Sequence, residues 1–359
     1  MKALILVGGY GTRLRPLTLS YPKPLVEFCN KPMVLHQIEA LAAVSVTEVI
    51  LAVGYRPQVM DDFLQQQQKK LGIKITVSRE EEPMGTAGPL KLAQPLLDDG
   101  EPFFVLNSDV TCRFPLADMI AAHKKHGGMG TILLTKADEP SKFGIVLYDA
   151  ASMRVSAFRE KPTEWVGNMA NAGVYLLSPS VLQRIEMRPT SIEREVFPAL
   201  AADGLLYAHE LTGHWADVGQ PKDYLIGMCM HLQAMRLEND AQLATGPTFI
   251  GNVLVDPSAR IGSGCRIGPD VVIGANCVIE HGVRLKRSTL LPGCHVKSHT
   301  WIASSIIGWG CIIGSWVRIE NTSVLGEDVV VHDEVLVNGG IVLPHKSVSE
   351  PILQPTVVL

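Results

Sequence analysis

The segment Gly8-Gly9-Tyr10-Gly11-Thr12-Arg13-Leu14-Arg15-Pro16 follows directly on the apolar run Ala3–Val7. Glycines allow a sharp turn and bring main-chain N–H groups close to a ligand, and such groups favour anions. Arg13 adds a guanidinium fork suited to phosphate oxygens. Pro22-Lys23-Pro24 holds a lysine in a stiff extended segment that points its ammonium in one direction. There is no G-K-[ST] ending, so the loop is not a P-loop. Gly9-x-Gly11-x-x-Leu14 also lacks the third glycine of the dinucleotide fingerprint. Taken alone, the same residues fit a plain strand-to-helix turn and a solvated lysine.

Three charged motifs follow. Asn107-Ser108-Asp109 comes after the run Phe103–Leu106, at the carboxyl end of a strand, where open α/β sheets bind ligands. Asp109 there suits Mg²⁺ held against a nucleotide phosphate; the alternative is a helix cap or an Asx-turn. Asp217, in His214-Trp215-Ala216-Asp217-Val218-Gly219, is a candidate second carboxylate or a turn residue before glycine. Glu160-Lys161-Pro162 sets a charged pair before a proline, and on bare sequence is a surface ion pair worth little.

The elements that must position these residues fall into two halves with different periods. Up to about residue 225, short apolar runs alternate with helical patterns. Strands are expected at Ala3–Val7, Val49–Val53, Ile73–Val77, Phe103–Leu106, Thr131–Leu134 and Val174–Leu177, and helices at His36–Val44 and Gln58–Lys70. Such alternation predicts a mixed, mostly parallel α/β sheet of Rossmann-like type, covered on both faces. A helix over Tyr224–Arg236 carries Leu225, Met228, Cys229 and Leu232 on one face, and 237–247 reads as a linker. Beyond it, aliphatics recur every six residues from Val255 through Ile261, Ile267, Ile273, Ile279 and Leu285 to Leu291. After a shift the period runs from Trp301 through Ile307, Ile313, Ile319, Leu325 and Val331 to Val337. A hexapeptide period predicts a parallel β-helix whose sides each give one aliphatic to a central stack. The expected domains are therefore 1–236, including the connecting helix, and 248–359. Cys265, Cys277, Cys294 and Cys311 fall near one phase of this repeat and read as small buried corner residues rather than a metal ladder.

The chain has 359 residues, 47% of them hydrophobic and 19% charged, enough for packed cores and about two domains. A net charge of −4, from 32 Lys and Arg against 36 Asp and Glu, carries no mark of a nucleic-acid binder. No apolar run approaches the roughly 18 residues of a membrane span, and the first is too short for a signal-peptide core. Seven cysteines without a C-x-x-C argue against a disulfide framework. The expectation is a soluble protein of the cytosol.

The combination G-G-Y-G-T-R-L-R-P-L-T with P-K-P, the motifs above and the hexapeptide tail resemble the sugar-1-phosphate nucleotidyltransferases over the whole chain. Within them they resemble the mannose-1-phosphate guanylyltransferase family, catalytic β type of eukaryotes. The resemblance implies a left-handed β-helix and transfer of GMP from GTP to mannose 1-phosphate, giving GDP-mannose for glycosylation and pyrophosphate. It implies Lys161, Arg13 and Lys23 as catalytic residues and Asp109 and Asp217 as ligands of Mg²⁺, with Mn²⁺ as the alternative metal. It further implies that Leu6, Val7, Gly9, Gly11, Thr12, Gly85 and Asn107 line the nucleotide, and Gly144, Glu160 and Asn171 the sugar. Homo-oligomers and a regulatory α-type subunit are the implied partners, with no nucleic acid and no membrane. Tyr21, Arg159 and Ala216 depart from the family's usual Thr, apolar residue and Met. Rival readings are another nucleotide or sugar, a non-catalytic regulatory subunit of the same fold, and an acyltransferase using His281, His295, His299, His332 or His345.

Overall fold

The computed structural model describes residues 1–9, 11–54 and 58–359, so Tyr10 of the glycine loop lies outside the described residues. By its contacts the chain forms two compact units, one of residues 1–9 and 34–215 and one of residues 10–33 and 216–359.

The first unit is built on a nine-stranded mixed sheet. Its strands are β1 (Lys2–Val7), β2 (Glu48–Val53), β3 (Lys74–Arg79), β4 (Phe103–Asn107), β5 (Gly130–Lys136), β6 (Gly144–Tyr148), β7 (Val155–Glu160), β8 (Met169–Leu177) and β9 (Leu206–Glu210). The order β3-β2-β1-β4 is parallel. β8 runs antiparallel to β4, β5 and β6. Every residue of β2 is buried, as its unbroken apolar run requires of a strand covered on both faces. The expected strands are all present, and β6, β7 and β9 are added to them. Helices α1 (Met33–Ala43), α2 (Gln58–Leu71) and α3 (Leu116–His126) connect strands of this sheet. Leu4, Ile50, Phe103, Ile132, Tyr175 and Phe197 belong to its main core.

In the second unit, α4 (Pro221–Leu237) buries Tyr224, Leu225, Met228, Leu232 and Met235. These side chains pack with Leu14, Leu17, Phe28, Leu254, Leu291, Ile306 and Trp309 in one apolar cluster. Residues 253–358 form three parallel sheets of two- and three-residue strands, a coil in which each strand pairs with one 16 to 18 residues later. The interior stack runs Ile267, Ile273, Ile279, Leu285, Leu290, Val296, Ile302, Ile307, Ile313, Ile319, Leu325, Val331 and Val337. Leu291 and Trp301, expected in that stack, are not in it. The coil takes five-residue steps from Leu285 to Leu290 and from Ile302 to Ile307, so Leu290 and Ile302 point inward instead. Leu291 then faces the α4 cluster, and Trp301 lies outside under the Arg318 guanidinium, 4.5 Å from its ring centre. All seven cysteines are free thiols. Cys277, Cys294 and Cys311 stack in successive coils, each thiol donating to a carbonyl of the next one.

At the end of α3, His123 Nδ1 and His126 Nε2 lie 2.8 and 2.9 Å from Thr131 Oγ1, and His126 stacks on Tyr207 at 4.0 Å. Burial, with the neighbouring His123 adding to it, pulls His126 from its ordinary 6.5 down to about 4. Between those values the folded chain binds fewer protons than the unfolded one. Its stability contribution is therefore complete above pH 6.5 and is lost as pH falls toward 4. Urea midpoints of the wild type should drop between pH 7 and pH 5, and His126→Gln should flatten that slope.

Candidate active site

In the first unit the site residues gather at strand ends. β1 leads through Val7 into Gly8 and Gly9, the latter with φ +85°, and Leu6 is registered beside Asn107 in the parallel β1–β4 pair. Asp109 lies in the turn that follows β4. Gln37 of α1, fully buried, spans that turn: its Nε2 donates to the carbonyls of Asn107 (2.8 Å) and Val110 (3.0 Å). A buried amide committed to two carbonyls holds the turn rigidly, because leaving either acceptor unmatched costs about 1–3 kcal/mol. Sequence reasoning did not find Gln37, since nothing local links a helix residue to a turn seventy positions away.

Asn171 and Gly173 stand on β8 where its pairing register shifts. Asn171 Oδ1 accepts the Gly173 N–H at 2.9 Å, and its Nδ2 donates to the Tyr175 hydroxyl at 2.8 Å. Gly173 has φ +73°, and a Cβ there would lie 2.8 Å from Asn107 Nδ2, so only glycine allows this approach. Gly144 is paired with Glu160 across the β6–β7 ladder, and a Cβ on it would lie 2.8 Å from Glu160 Oε2. Burial pushes the Glu160 carboxyl above its ordinary range, Glu193 adds to this, and Lys161 opposes it with its Nζ at 3.8 Å. Lys161 itself sits in the left-handed region at φ +45°, its N–H donating to Phe143 O at 3.1 Å. Such a backbone persists only where its surroundings impose it.

Gly85 is joined to the same region through a segment that the motif reading did not include. Thr86 and Ala87 donate main-chain N–H groups to Thr190 O at 3.1 and 2.9 Å. Thr86 Oγ1 donates to Glu193 Oε2 at 2.6 Å. Glu193 thus ties the Gly85 loop to the electrostatic surroundings of Glu160.

In the second unit Gly11 (φ +61°) opens a single 3-10 turn carrying Thr12 and Arg13, pinned by Leu14 N–H and Thr18 Oγ1 donating to Gly11 O. Lys23 begins a second such turn. Asp217 Oδ1 accepts the Gly219 N–H at 2.8 Å, and its Oδ2 lies 3.9 Å from Arg13 Nη2. A Cβ on Gly219 would lie 3.0 Å from both Arg13 Nη2 and Lys23 Nζ and 2.8 Å from Asp217 Oδ1. Two cations and a carboxylate therefore converge on Gly219, a cradle in which the missing side chain lets the three charged ends close in. That donor set suits a phosphate with a divalent cation. Among the described residues no group of three or more His, Cys, Asp or Glu forms an all-protein cage. A hard cation such as Mg²⁺ would complete its shell with water and phosphate oxygens, as it commonly does.

The profile of the nucleotidyl transferase family matches residues 2–233, and one described as GMPPB C-terminal domain matches 249–358. The chain belongs to the nucleotidyl transferase family. Relatives of this nucleotidyl transferase include probable mannose-1-phosphate guanylyltransferase 3 of Oryza sativa subsp. japonica at 59% identity and mannose-1-phosphate guanylyltransferase 1 of Arabidopsis thaliana at 58%. The catalytic subunit beta of mannose-1-phosphate guanylyltransferase from Danio rerio is also 58% identical. Each alignment covers 100% of both chains. Among solved structures, a putative glucose-1-phosphate thymidylyltransferase from Bacillus anthracis matches 68% of this chain and 98% of its own, with TM-score 0.58 and 22% identity. HddC from Yersinia pseudotuberculosis complexed with GMP-PN matches 63% and 97%, with TM-score 0.53 and 26% identity. No helix among the described residues is long and apolar enough to cross a membrane.

Gly219→Val should push the Arg13, Lys23 and Asp217 side-chain ends apart without disturbing the buried cores. Calorimetric titration with Mg²⁺ and inorganic pyrophosphate should show binding in the wild type and its loss in the variant, at an unchanged melting midpoint.

Proposed function

We propose that this chain transfers GMP from GTP to mannose 1-phosphate, giving GDP-mannose and pyrophosphate. One observation carries the reading: full-length relatives at 58–59% identity are named for this activity. The charged residues that the chemistry needs, Arg13, Lys23, Asp109, Glu160, Lys161 and Asp217, are all present.

A phosphate oxygen of the sugar phosphate attacks the α-phosphorus of GTP, and the bond from that phosphorus to the bridging oxygen of the departing pyrophosphate breaks. A phosphomonoester with a second pKa near roughly 6 is largely dianionic at neutral pH, so no general base and no covalent intermediate are needed. The barrier is repulsion between anions, and fixed positive charge lowers it. Lys161 holds the attacking phosphate in line. Arg13 and Lys23 balance the charge of the triphosphate and of the leaving pyrophosphate. Glu160, backed by Gly144 and Asn171, accepts hydrogen bonds from sugar hydroxyls. Leu6, Val7, Gly9, Gly11, Thr12, Gly85 and Asn107 line the nucleotide. Asp109 and Asp217 are the carboxylates assigned to a divalent cation, Mg²⁺ or Mn²⁺, which when bound neutralises phosphate charge. Homo-oligomers formed through the β-helix, an α-type regulatory partner and a cytoplasmic location complete the proposal.

Purified protein with Mg²⁺ and mannose 1-phosphate should release pyrophosphate with GTP, and none when the sugar phosphate is omitted. Turnover only with UTP, ATP or dTTP, or only with glucose 1-phosphate, would overturn the substrate assignment, and silence with all of them would favour the regulatory reading. Lys161→Ala should lower kcat/KM roughly a hundredfold or more, the scale of removing one preorganised charge, without shifting the melting midpoint.

A further inference from the structure

We propose that Trp309 of the β-helix is a positioning residue for Lys23: its indole grips both flanks of the P-K-P turn and so fixes where the lysine ammonium lies. The proposal rests on the phosphate role assigned to Lys23 above.

Buried Pro24, Leu25 and Val26 anchor one side of the turn that carries Lys23. Pro22 and Pro24 have no N–H, and Leu25 N–H to Pro22 O (2.8 Å) and Val26 N–H to Lys23 O (3.2 Å) close the turn. Contacts on its two flanks fix its position further. On one side, the Tyr21 ring lies on the Trp309 ring with centroids 4.5 Å apart and planes tilted by 44°. On the other, Trp309 Nε1 donates to Glu27 Oε2 at 2.7 Å. A single indole thus fixes residues 21 and 27, and Lys23 lies between them. Glu27 is held a second time, because the Tyr224 hydroxyl donates to its main-chain carbonyl at 2.6 Å.

The support behind the indole is stiff. Trp309 is 8% exposed and occupies a coil corner whose main chain is tied to the following coil by Gly308 N–H to Leu325 O and Asp328 N–H to Trp309 O. A Cβ on Gly308 would collide with Gly326 O, so the corner is pressed against its neighbour. The lysine is then delivered to the Gly219 cradle beside Arg13 and Asp217. Tyr21, the departure from the family's usual Thr, supplies half of this clamp. The β-helix in this reading serves the chemistry through Lys23, apart from any role in assembly.

The test uses the full-length protein and three variants. Trp309→Phe keeps a ring for Tyr21 and removes the N–H, Tyr21→Leu removes the ring contact and keeps the N–H, and Trp309→Leu removes both. Affinity for inorganic pyrophosphate with Mg²⁺ and the KM for GTP should worsen by roughly ten- to hundredfold in Trp309→Leu, the scale expected for a displacement of about 1 Å. The single-contact variants should fall between it and wild type, and the KM for mannose 1-phosphate should stay within about twofold. Pyrophosphate affinity and GTP kinetics unchanged in the folded variants would overturn the proposal, as would an equal rise in both KM values. Should Trp309→Leu fail to fold, the two single-contact variants decide. Wild type that binds pyrophosphate but does not turn over GTP with mannose 1-phosphate would overturn the proposed activity, and pyrophosphate affinity in the variants would still decide the clamp. Wild type that binds no pyrophosphate would overturn the phosphate role of Lys23 and the clamp with it.

Discussion

Burial of one face of the helix Pro221–Leu237 is the interaction on which the phosphate-binding end of the molecule depends. The loop segments that carry Arg13 and Lys23 consist of single 3-10 turns and prolines, and have too few apolar residues for a core of their own. They are ordered because Leu14, Leu17, Val26 and Phe28 share a cluster with Tyr224, Met228 and Leu232 of the helix and with Leu254, Leu291 and Ile306 of the β-helix. Each fully buried side chain of this kind contributes about 1.5–3 kcal/mol, and no surface ion pair in the loop approaches that. Hydrophobic burial therefore places the cations, and electrostatics then uses them.

The first unit follows a different rule. Many of its chemistry-bearing residues sit at strand ends and in turns, where side chains close in on glycine main chain. At Gly173 against Asn107, with its positive φ, and at Gly144 against Glu160, an added methyl group would force the neighbouring side chain to shift. Gln37 spans the Asp109 turn from beneath with two hydrogen bonds. The sheet supplies a rigid floor, and a few glycines and one buried amide set the positions above it.

Each unit carries one loose, half-open ion pair at its candidate site. Glu160 is partly buried, with Glu193 nearby and Lys161 only 3.8 Å away, so its carboxyl is held above the usual range. Arg13 and Asp217 meet at 3.9 Å with side-chain exposures of 59% and 27%, close to the 62% and 20% of Lys161 and Glu160. A pair so open to water gains little from its own attraction. Its use lies in presenting both signs of charge to a ligand rather than in holding the fold.

Much of the architecture was legible in the sequence because it is written in local periods. Unbroken apolar runs marked the buried strands of the sheet, and the hexapeptide spacing marked the coil. The register failed at Leu290-Leu291 and Trp301-Ile302 for a physical reason: where two neighbouring residues are both apolar, spacing alone cannot say which one points inward. The five-residue steps decided it, turning Leu291 toward the α4 cluster. The sequence by itself determined the residue types that can bind phosphate and metal, and the two periodic scaffolds. Only the tertiary structure decided that Arg13, Lys23 and Asp217 share one cradle, that Gln37 holds the Asp109 turn, and that Trp309 grips both flanks of Lys23. Those contacts join residues 70 to nearly 300 positions apart, and such pairings are set by burial and close packing rather than by any local pattern.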